Sequence, residues 1–422
     1  MLLILVFIVG YAFIVAESSL KLNKAATAIV TGVLCWVIYA HGQIDVEALN
    51  SALAKHLADI AGILFFLMGA MTIVELIDAH DGFDVITNGI RTRQKRTLLW
   101  LLSFIAFFLS AVLDNLTTTI VMVSLLQKLM PRGQDRTLFV CMIVIAANAG
   151  GAWSPIGDVT TTMLWIGGQI SSISLMKAVF IPSVLNLLVP LLVLHFRIKG
   201  NIIPTDDNSV TVPKNKMSHT PLQRNIMFGT GIGVLLCVPV FKTITHLPPY
   251  MGIYLGLGIL WIVSEIIHSE KDELDAAPLS VISALRKIDT PSILFFWGIL
   301  MSVAALESSG ILKQTAVYIT QNIDNQSLIV VLIGLLSAII DNVPLVAATM
   351  NMYDLQQIPC DNAFWLFLSY CAGTGGSILI IGSAAGVAAM GMEKISFMDY
   401  FKRISWLALL GYIVGALFFV LS

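Results

Sequence analysis

The fold is decided by residues 110–122, SAVLDNLTTTIVM, and by residues 337–350, SAIIDNVPLVAATM. Each stretch places an Asp-Asn pair inside a long apolar segment, at positions 114–115 and 341–342, and the two share the pattern S-A-x-x-D-N. An ionised aspartate at bilayer depth costs about 3 kcal/mol or more unless it is paired, coordinated or protonated. Both stretches therefore indicate a functional site or a special local structure inside a membrane.

The composition around these stretches is that of a polytopic membrane protein. Of 422 residues, 57% are hydrophobic and 12% are charged, and the mean hydropathy is +0.88. Soluble domains carry about a quarter charged residues. Apolar runs of about 20 residues recur along the chain, and a segment that spans lipid must be helical because its backbone has no water to bond. We therefore expect an all-α, multi-pass protein of a cell membrane. We expect that membrane to be a bacterial inner membrane.

Other features of the sequence exclude several classes of protein function. No basic tract resembles a nucleic-acid-binding patch. The cysteines (Cys35, Cys141, Cys237, Cys360 and Cys371) are scattered, without the spacing of a disulfide framework or a metal site. No nucleophile–base or metal-ligand constellation is present, so we expect neither an enzyme nor a cofactor. The apolar first segment lacks a basic signal-peptide start, and we expect it to be retained as a span.

The charges of the loops indicate two re-entrant hairpins. Basic loops at 91–96 and 128–136 flank both ends of segment 97–130. Because Lys and Arg are enriched on the cytoplasmic side, both ends should lie there. A hairpin entered from the cytoplasm, with its tip at the Asp-Asn pair, satisfies this. Segment 328–353 has flanks poor in positive charge and would be a hairpin entered from outside.

Three matched pairs of segments reveal an internal repeat. Besides the two tips, residues 65–83 resemble 295–311, and residues 148–163 resemble 371–389, in the same order and at nearly constant spacing. Each half would hold five transmembrane helices, one of them broken, plus a re-entrant hairpin. With an odd number of crossings per half, the second copy is inverted, as in many secondary transporters.

The predicted boundaries follow from this count. We expect a first inverted repeat at 1–199, with a hairpin at 97–130 and a broken helix at 138–170 that is interrupted at Gly150, Gly151, Pro155 and Gly157. A cytoplasmic linker at 200–224 should follow. We expect a second inverted repeat at 225–422, with a hairpin at 328–353 and a broken helix at 362–392 that is interrupted at 372–377.

The tips and breaks supply the candidate site residues. Asp114 and Asp341 lie at the tips and Asp158 follows the first break, while no Lys or Arg lies in these segments. Carboxylate, amide and hydroxyl oxygens suit a hard cation such as Na⁺ or Li⁺. Burial favours the protonated carboxyl, so a proton can compete with the cation for the same group. Possible lining residues are Asn148, Thr117, Thr118, Thr161 and Thr374.

Structural explanations compete with these assignments. Asp and Asn are good helix N-caps, and capping alone could explain the three aspartates. Asp158 has no acidic repeat partner, since Ser383 or a neighbour takes its place. Threonines in membrane helices often bond the carbonyl one turn back. Glu393 borders a loop, and we expect it to be solvated.

The motifs SAVLDNLTTTI, GGAWSPIGDVTTT, SAIIDNVP and GTGGS with GSAAG resemble the NhaD-type sodium/proton antiporters of the ion transporter superfamily. The resemblance extends over nearly the whole chain. It implies two inverted repeats, a homodimer and elevator-type movement of hairpins and broken helices. It also implies that seven residues hold the cation or exchange its proton: Asp114, Asn115, Ser154, Asp158, Asp341, Asn342 and Ser377.

Exchange of Na⁺, and of Li⁺, for H⁺ across the bilayer is therefore the expected function. The alternative is a Na⁺-coupled symporter or exporter of a small oxyanion, such as a carboxylate or arsenite. Half-helix N-termini could hold such an anion without an arginine.

Overall fold

The computed structural model describes residues 2–15, 22–41, 44–87, 90, 92–201, 220–268, 277–323 and 325–422. Most of the predicted linker at 200–224 lies outside the described residues. Throughout the described ranges the secondary structure is helical, and no extended strand occurs in them. The predicted all-α class is confirmed.

The first half of the chain holds nine α-helices in its described residues. They are α1 (Leu2–Val15), α2 (Lys24–His41), α3 (Val46–Ala79), α4 (Asp84–Thr87), α5 (Lys95–Leu113), α6 (Asn115–Leu129), α7 (Gln134–Ala152), α8 (Val159–Ile166) and α9 (Ser172–Arg197).

The described residues of the second half follow a similar order. They form α10 (Pro221–Thr245), α11 (Pro249–His268), a 3₁₀ turn (Ala277–Leu279), α12 (Val281–Lys287), α13 (Thr290–Ser308), α14 (Ile311–Asn322), α15 (Gln326–Leu336), α16 (Asn342–Met352), α17 (Ala363–Gly375), α18 (Ala384–Glu393), α19 (Phe397–Tyr400), a π-helical turn (Phe401–Ser405) and α20 (Trp406–Leu421).

Nine helical segments of the described chain are long and apolar enough to cross a membrane. They are α2, α3, α5, α7, α9, α10, α11, α13 and the continuous segment Phe397–Leu421. A helix rises 1.5 Å per residue, so about 20 residues span the hydrocarbon core. The protein is a multi-pass membrane protein.

Both Asp-Asn pairs interrupt the helical backbone. Asp114 alone separates α5 from α6, and its φ of 85° and ψ of 161° turn the chain between them. In the second half, residues 337–341 separate α15 from α16. The two helices that flank the second Asp-Asn pair, α15 and α16, have 11 residues each. Helix α5, with 19 residues, is longer than the half-length arm that the hairpin prediction requires. The membrane entry side of each hairpin stays a prediction.

The two predicted broken helices are interrupted later than expected. Helix α7 continues through Gly150 and Gly151, and the irregular stretch is 153–158. The second interruption is 376–383. A Cβ at Gly150 would collide with the Phe107 carbonyl. Gly150 therefore permits close packing on the hairpin backbone, Gly151 permits close packing on Gly157 of the irregular stretch, and neither glycine itself breaks the helix.

Helices from the two halves pack against each other in reciprocal pairs. Helix α2 packs on α13 as α3 packs on α11, and α9 packs on α20. The first segments of the broken helices, α7 and α17, contact each other. Helix α8 contacts α16, and α18 contacts α6. A two-fold relation between the halves would give this pattern, and the inverted repeat with its boundaries stays a prediction.

Glu393 is buried, so its expected solvation is wrong. It ends α18 and is 5% exposed. Arg136 at the start of α7 forms an ion pair with it at 3.0 Å, and the Gln127 amide donates to it at 2.8 Å. The pair was not foreseeable because Arg136 and Glu393 are far apart in sequence and meet only through packing of α6, α7 and α18.

A candidate cation site at the helix breaks

A buried network of polar side chains connects the first tip with both broken helices. The Asn115 amide nitrogen donates to Asn148 Oδ1 at 2.9 Å and to Asp158 Oδ2 at 2.5 Å. The Asn148 amide donates in turn to Ser383 Oγ at 3.0 Å. All four residues are at most 6% exposed. Residues remote in sequence thus form one continuous set of amide, carboxylate and hydroxyl groups.

Asp158 uses its two carboxylate oxygens differently. Oδ1 accepts the amide of Thr160 at 2.8 Å and its hydroxyl at 2.7 Å, which caps α8. Oδ2 accepts the Asn115 amide instead. The N-terminus of a helix carries partial positive charge and stabilises a nearby carboxylate. Asp158 is therefore both a helix cap and a member of the network.

Asp114 lies next to Asp158 at the first tip. Its carboxylate accepts the amide of Thr117 at 2.8 Å and its hydroxyl at 2.9 Å. Asp114 and Asp158 line a common cavity of about 20 Å³ with apolar residues of α3, among them Phe66 and Leu67. Two carboxylates at one small cavity can share a proton or a cation.

The second tip approaches the same region from the other half. Asp341 Oδ1 accepts the amide of Val343 at 3.1 Å, and the side chain of Asn342 lies beside the Asp158 carboxylate. Asp341 and Ser383 line a second cavity, of about 90 Å³. Both tips therefore lie close to the start of α8 or α18.

The two half-helices begin in equivalent ways. Asp158 caps α8, and Ser383 caps α18 by accepting the Gly386 amide at 3.2 Å. Among the described residues, no Lys or Arg forms an ion pair with Asp114, Asp158 or Asp341. The carboxylates are thus stabilised by dipoles and hydrogen bonds, which leaves their charge available to a mobile cation.

Other predicted residues serve the surrounding structure. The Ser154 hydroxyl donates to Ala111 O, and the Ser377 hydroxyl donates to Thr374 O. The Thr374 hydroxyl bonds Tyr370 O one turn back. Thr161 exchanges hydrogen bonds with the backbone of Asp158. Ser154 and Ser377 thus direct their hydroxyls to carbonyls, not to the network.

The Thr118 hydroxyl is different, because it is buried and has no hydrogen-bond partner among the described residues. The amide and the hydroxyl of Thr117 both donate to the Asp114 carboxylate at the same tip. Of the predicted set, the structure brings Asn115, Asn148 and Asp158 into one network, with Asp114, Asp341 and Asn342 beside it.

Two contributors were missed by sequence reasoning. Ser383 receives the Asn148 amide, and Thr160 binds the Asp158 carboxylate. The signal for Ser383 was its repeat match to Asp158. The signal for Thr160 was its position two residues after an N-cap, the usual place of a capping partner.

A vestibule of about 420 Å³ leads toward this region. Its walls include Thr117 and Ile120 of α6 and Ala384 of α18. It opens where Asn23 and the turn at 287–292 lie. The charge pattern of the loops predicts that these ends lie on the cytoplasmic side.

Known proteins resemble the chain over most of its length. A family model described as citrate transporter matches residues 11–357. Sodium/proton antiporter 1 of Arabidopsis thaliana is 52% identical over 411 residues, which cover 97% of this chain and 70% of that protein. The Na⁺/H⁺ antiporter NhaD of Vibrio cholerae is 31% identical over 443 residues, covering 98% of this chain and 89% of that protein.

A solved structure shares the fold. Neisseria gonorrhoeae MtrF, described among a class of antimetabolite efflux pumps, aligns with a TM-score of 0.53 at 10% identity over 94% of each chain. That likeness concerns the fold alone. The matches to the two antiporters, in contrast, cover 97% and 98% of the chain. The chain belongs to the citrate transporter family and, with these relatives, to the NhaD-type sodium/proton antiporters, which are transporters and not enzymes.

Proposed function

We propose that the protein exchanges Na⁺ for H⁺ across the membrane. The observation that carries the proposal is the network around Asp158, where the buried carboxylate accepts the Asn115 amide and the backbone amide and hydroxyl of Thr160, without a Lys or Arg ion pair among the described residues. Oxygen ligands of this kind suit a small hard cation. The relatives named sodium/proton antiporters support the same assignment.

The chemistry is competition for the carboxylates. A buried carboxylate is stable when it carries a proton or binds a cation. Asp158 and Asp114 line one small cavity. The side-chain oxygen of Asn115, whose amide nitrogen bonds Asp158, would be a further ligand if the amide turned toward the ion. Binding of Na⁺ would release a proton, and binding of a proton would release Na⁺. Li⁺, which is smaller and also hard, would use the same oxygens.

Alternating access would come from movement of the tips. Helices α2, α3, α11 and α13 pack together and would form a fixed unit. The hairpins and broken helices, which contact each other through α6, α8, α16 and α18, would move as an elevator. We propose a homodimer in which the fixed units face each other, which leaves the moving units free.

Reconstituted protein tests the exchange directly. Proteoliposomes with an inside-acidic pH gradient, monitored with a pH-sensitive dye, should lose the gradient when Na⁺ or Li⁺ is added outside. K⁺ added at the same ionic strength is the control. A gradient that stays intact with Na⁺ at every pH between about 7 and 9 contradicts the proposal.

Oxyanion transport is the second candidate, and the description of the family model as citrate transporter favours it. The N-termini of α8 and α18 converge near the network and could face an anion. However, Asp158 and Asp341 would repel that anion unless Na⁺ bound first. Uptake of labelled citrate or arsenite, measured with and without Na⁺, separates the candidates, since an exchanger needs no anion.

A further inference from the structure

Lys242 places a positive charge at the end of the half-helix that begins at Asp158. Its ammonium nitrogen donates to the carbonyl oxygen of Trp165 at 2.5 Å and lies 4.4 Å from the centre of the Trp165 ring. Trp165 is in the last turn of α8, and Asp158 caps the first turn. Because the carbonyl groups at a helix C-terminus carry partial negative charge, a cation there stabilises the helix. Lys242 therefore holds α8 at the end opposite the candidate cation site.

No counter-ion explains the position of this lysine. Lys242 is half-buried, and among the described residues it forms no ion pair with a carboxylate. A lysine usually keeps its ammonium group in water, because desolvation of the charge is costly. The carbonyl and the ring of Trp165 are the groups that replace that water. Sequence reasoning missed the contact because 77 residues separate its two partners.

The two partners belong to elements with different proposed roles. Lys242 is in the last turn of α10, which packs on α11 and α3 of the unit proposed to be fixed. Helix α8 packs on α16 and α17, in the part of the molecule proposed to move. The hydrogen bond from Lys242 thus crosses the boundary between the two units. A movement of α8 along that boundary must break it.

The corresponding boundary in the other half is open. In the predicted repeat, α1 corresponds to α10 and α18 corresponds to α8. Tyr11 of α1 and Val387 of α18 line the cavity of about 90 Å³, and Val387 also lines the vestibule of about 420 Å³. Space thus lies beside α18 where a lysine bridges to α8 in the second boundary. The two ends of the moving unit are therefore in different states.

The difference has a predicted direction across the membrane. The vestibule opens on the side predicted to be cytoplasmic. The loop that follows α10 is poor in Lys and Arg, which predicts that it is external. The structure therefore has its site facing the cytoplasm, with the contact of Lys242 closed at the external end.

We propose that Lys242 is a latch that holds the moving unit in the position from which the site faces the cytoplasm. The inference rests on the proposed exchange and deepens it, since it names a contact that must break before the site can face outside. Lys242 is thus a positioning residue that acts through α8 and not by binding the cation. Loss of the latch should favour the form that faces outside.

The ratio of two apparent KM values for Na⁺ tests the latch. Only the fraction of carrier that faces a given side can bind Na⁺ there, so the apparent KM on that side is the intrinsic dissociation constant divided by that fraction. The ratio of the external to the cytoplasmic KM therefore follows the ratio of carrier that faces the cytoplasm to carrier that faces outside. A change of intrinsic affinity that is equal on both sides cancels.

Na⁺-dependent proton flux in right-side-out and in everted membrane vesicles supplies the two KM values. Lys242→Met keeps an apolar stem without the ammonium and should lower the ratio at least about tenfold, the lower end for loss of a hydrogen bond from a charged donor. Lys242→Arg keeps a charged donor and should retain the wild-type ratio. Lys177→Met, which removes an exposed lysine near the start of α9, is the matched control.

A wild-type ratio in Lys242→Met overturns the latch. A ratio that falls equally in Lys177→Met also overturns it, because loss of any exposed charge would then have the same effect. Absence of Na⁺-dependent proton flux in wild-type vesicles would instead overturn the proposed exchange, so the two failures are distinguishable.

A chemical rescue compares one protein with itself, so misfolding cannot explain its result. Lys242→Cys is made in a Cys237→Ser/Cys360→Ser background, which removes the two exposed cysteines. An aminoethyl methanethiosulfonate adds an ammonium group to the introduced thiol, and an ethyl methanethiosulfonate adds a similar volume without charge. After complete modification, checked by mass spectrometry, the aminoethyl group should raise the KM ratio toward the wild-type value, and the ethyl group should not. Equal ratios after the two reagents overturn the latch, whatever Lys242→Met does.

Discussion

The aspartates at the tips and breaks each cap a helix and also reach the candidate site. Asp158 shows this most clearly, since Oδ1 caps α8 and Oδ2 accepts the Asn115 amide. Capping and cation binding are therefore compatible. The two roles differ in what they require, because cation binding uses the negative charge of the carboxylate and capping needs only an oxygen that accepts a hydrogen bond. Asn caps a helix about as well as Asp. Replacement by Asn thus removes the charge and keeps the cap.

The variants Asp114→Asn, Asp158→Asn and Asp341→Asn should each lose exchange by at least about 100-fold, as expected when a group that carries the proton is removed. Each should still insert and elute as folded protein, because the cap is kept. Asp45→Asn is the control, since Asp45 caps α3 far from the network. Wild-type exchange rates in the three site variants would show that these aspartates only cap helices.

Ser383 should matter more than Ser377, although both lie in the second interruption. Removal of the Ser383 hydroxyl leaves the buried Asn148 amide without its acceptor, at a cost of about 1–3 kcal/mol. Ser383→Ala should therefore raise the apparent KM for Na⁺ roughly fivefold or more. Ser377→Ala, whose hydroxyl bonds within its own turn, is the matched control. Equal KM values in the two variants would remove Ser383 from the site.

Residue identities at the site were only partly predictable. The pattern S-A-x-x-D-N located both tips, because a charged residue in an apolar run is conspicuous. For the Thr160–Thr162 run, the only sequence signal was the position of Thr160 two residues after the cap, because the contact with the carboxylate depends on cap geometry. The burial of Glu393 was missed because its surroundings are created by helices remote in sequence.

At the scale of elements, glycines decide how closely the broken helices approach the hairpins. Gly150 of α7 faces the Phe107 carbonyl of α5, and Gly375 of α17 faces the Gly334 carbonyl of α15. The sequence pattern suggested these glycines as helix breakers. Their actual role is visible only once the neighbouring backbone is placed.

Gly150→Ala should strongly reduce folded protein, because the added Cβ would meet backbone, which cannot turn aside as a side chain can. Gly233→Ala is the control, since an added Cβ there meets no atom within 4 Å and Ala favours the helix. Recovery of monodisperse protein in detergent and its Tm are the measurements. Similar recovery and Tm for both variants would contradict the close-packing role.

At the scale of the whole molecule, the helical class and the multi-pass character were predictable from hydropathy, whereas the predicted ten full crossings exceed the nine long apolar helices of the described chain. The inverted arrangement was inferred from loop charges and repeat matches and stays a prediction. The length of α5 was not predictable, because charge counts locate the ends of a hairpin and not the depth of its arms.

Sidedness can be measured with cysteines. Cys360 is exposed between α16 and α17, on the side predicted to be external. A membrane-impermeant maleimide should label it in intact cells. A Lys287→Cys variant in a Cys360→Ser background should be labelled only after permeabilisation, because one crossing, α13, and a returning hairpin separate the two positions. Labelling of both positions from the same side would contradict the predicted topology.

The central claim is that Na⁺ and a proton compete for the same carboxylates, and proton release on Na⁺ binding tests it most directly. Purified protein in weakly buffered detergent solution is titrated with NaCl near neutral pH, and the pH change is recorded against KCl. We predict that Na⁺ releases protons from wild type, that K⁺ does not, and that Asp158→Asn releases far fewer. Na⁺ binding, followed with radioactive Na⁺, that releases no protons from wild type would contradict the account.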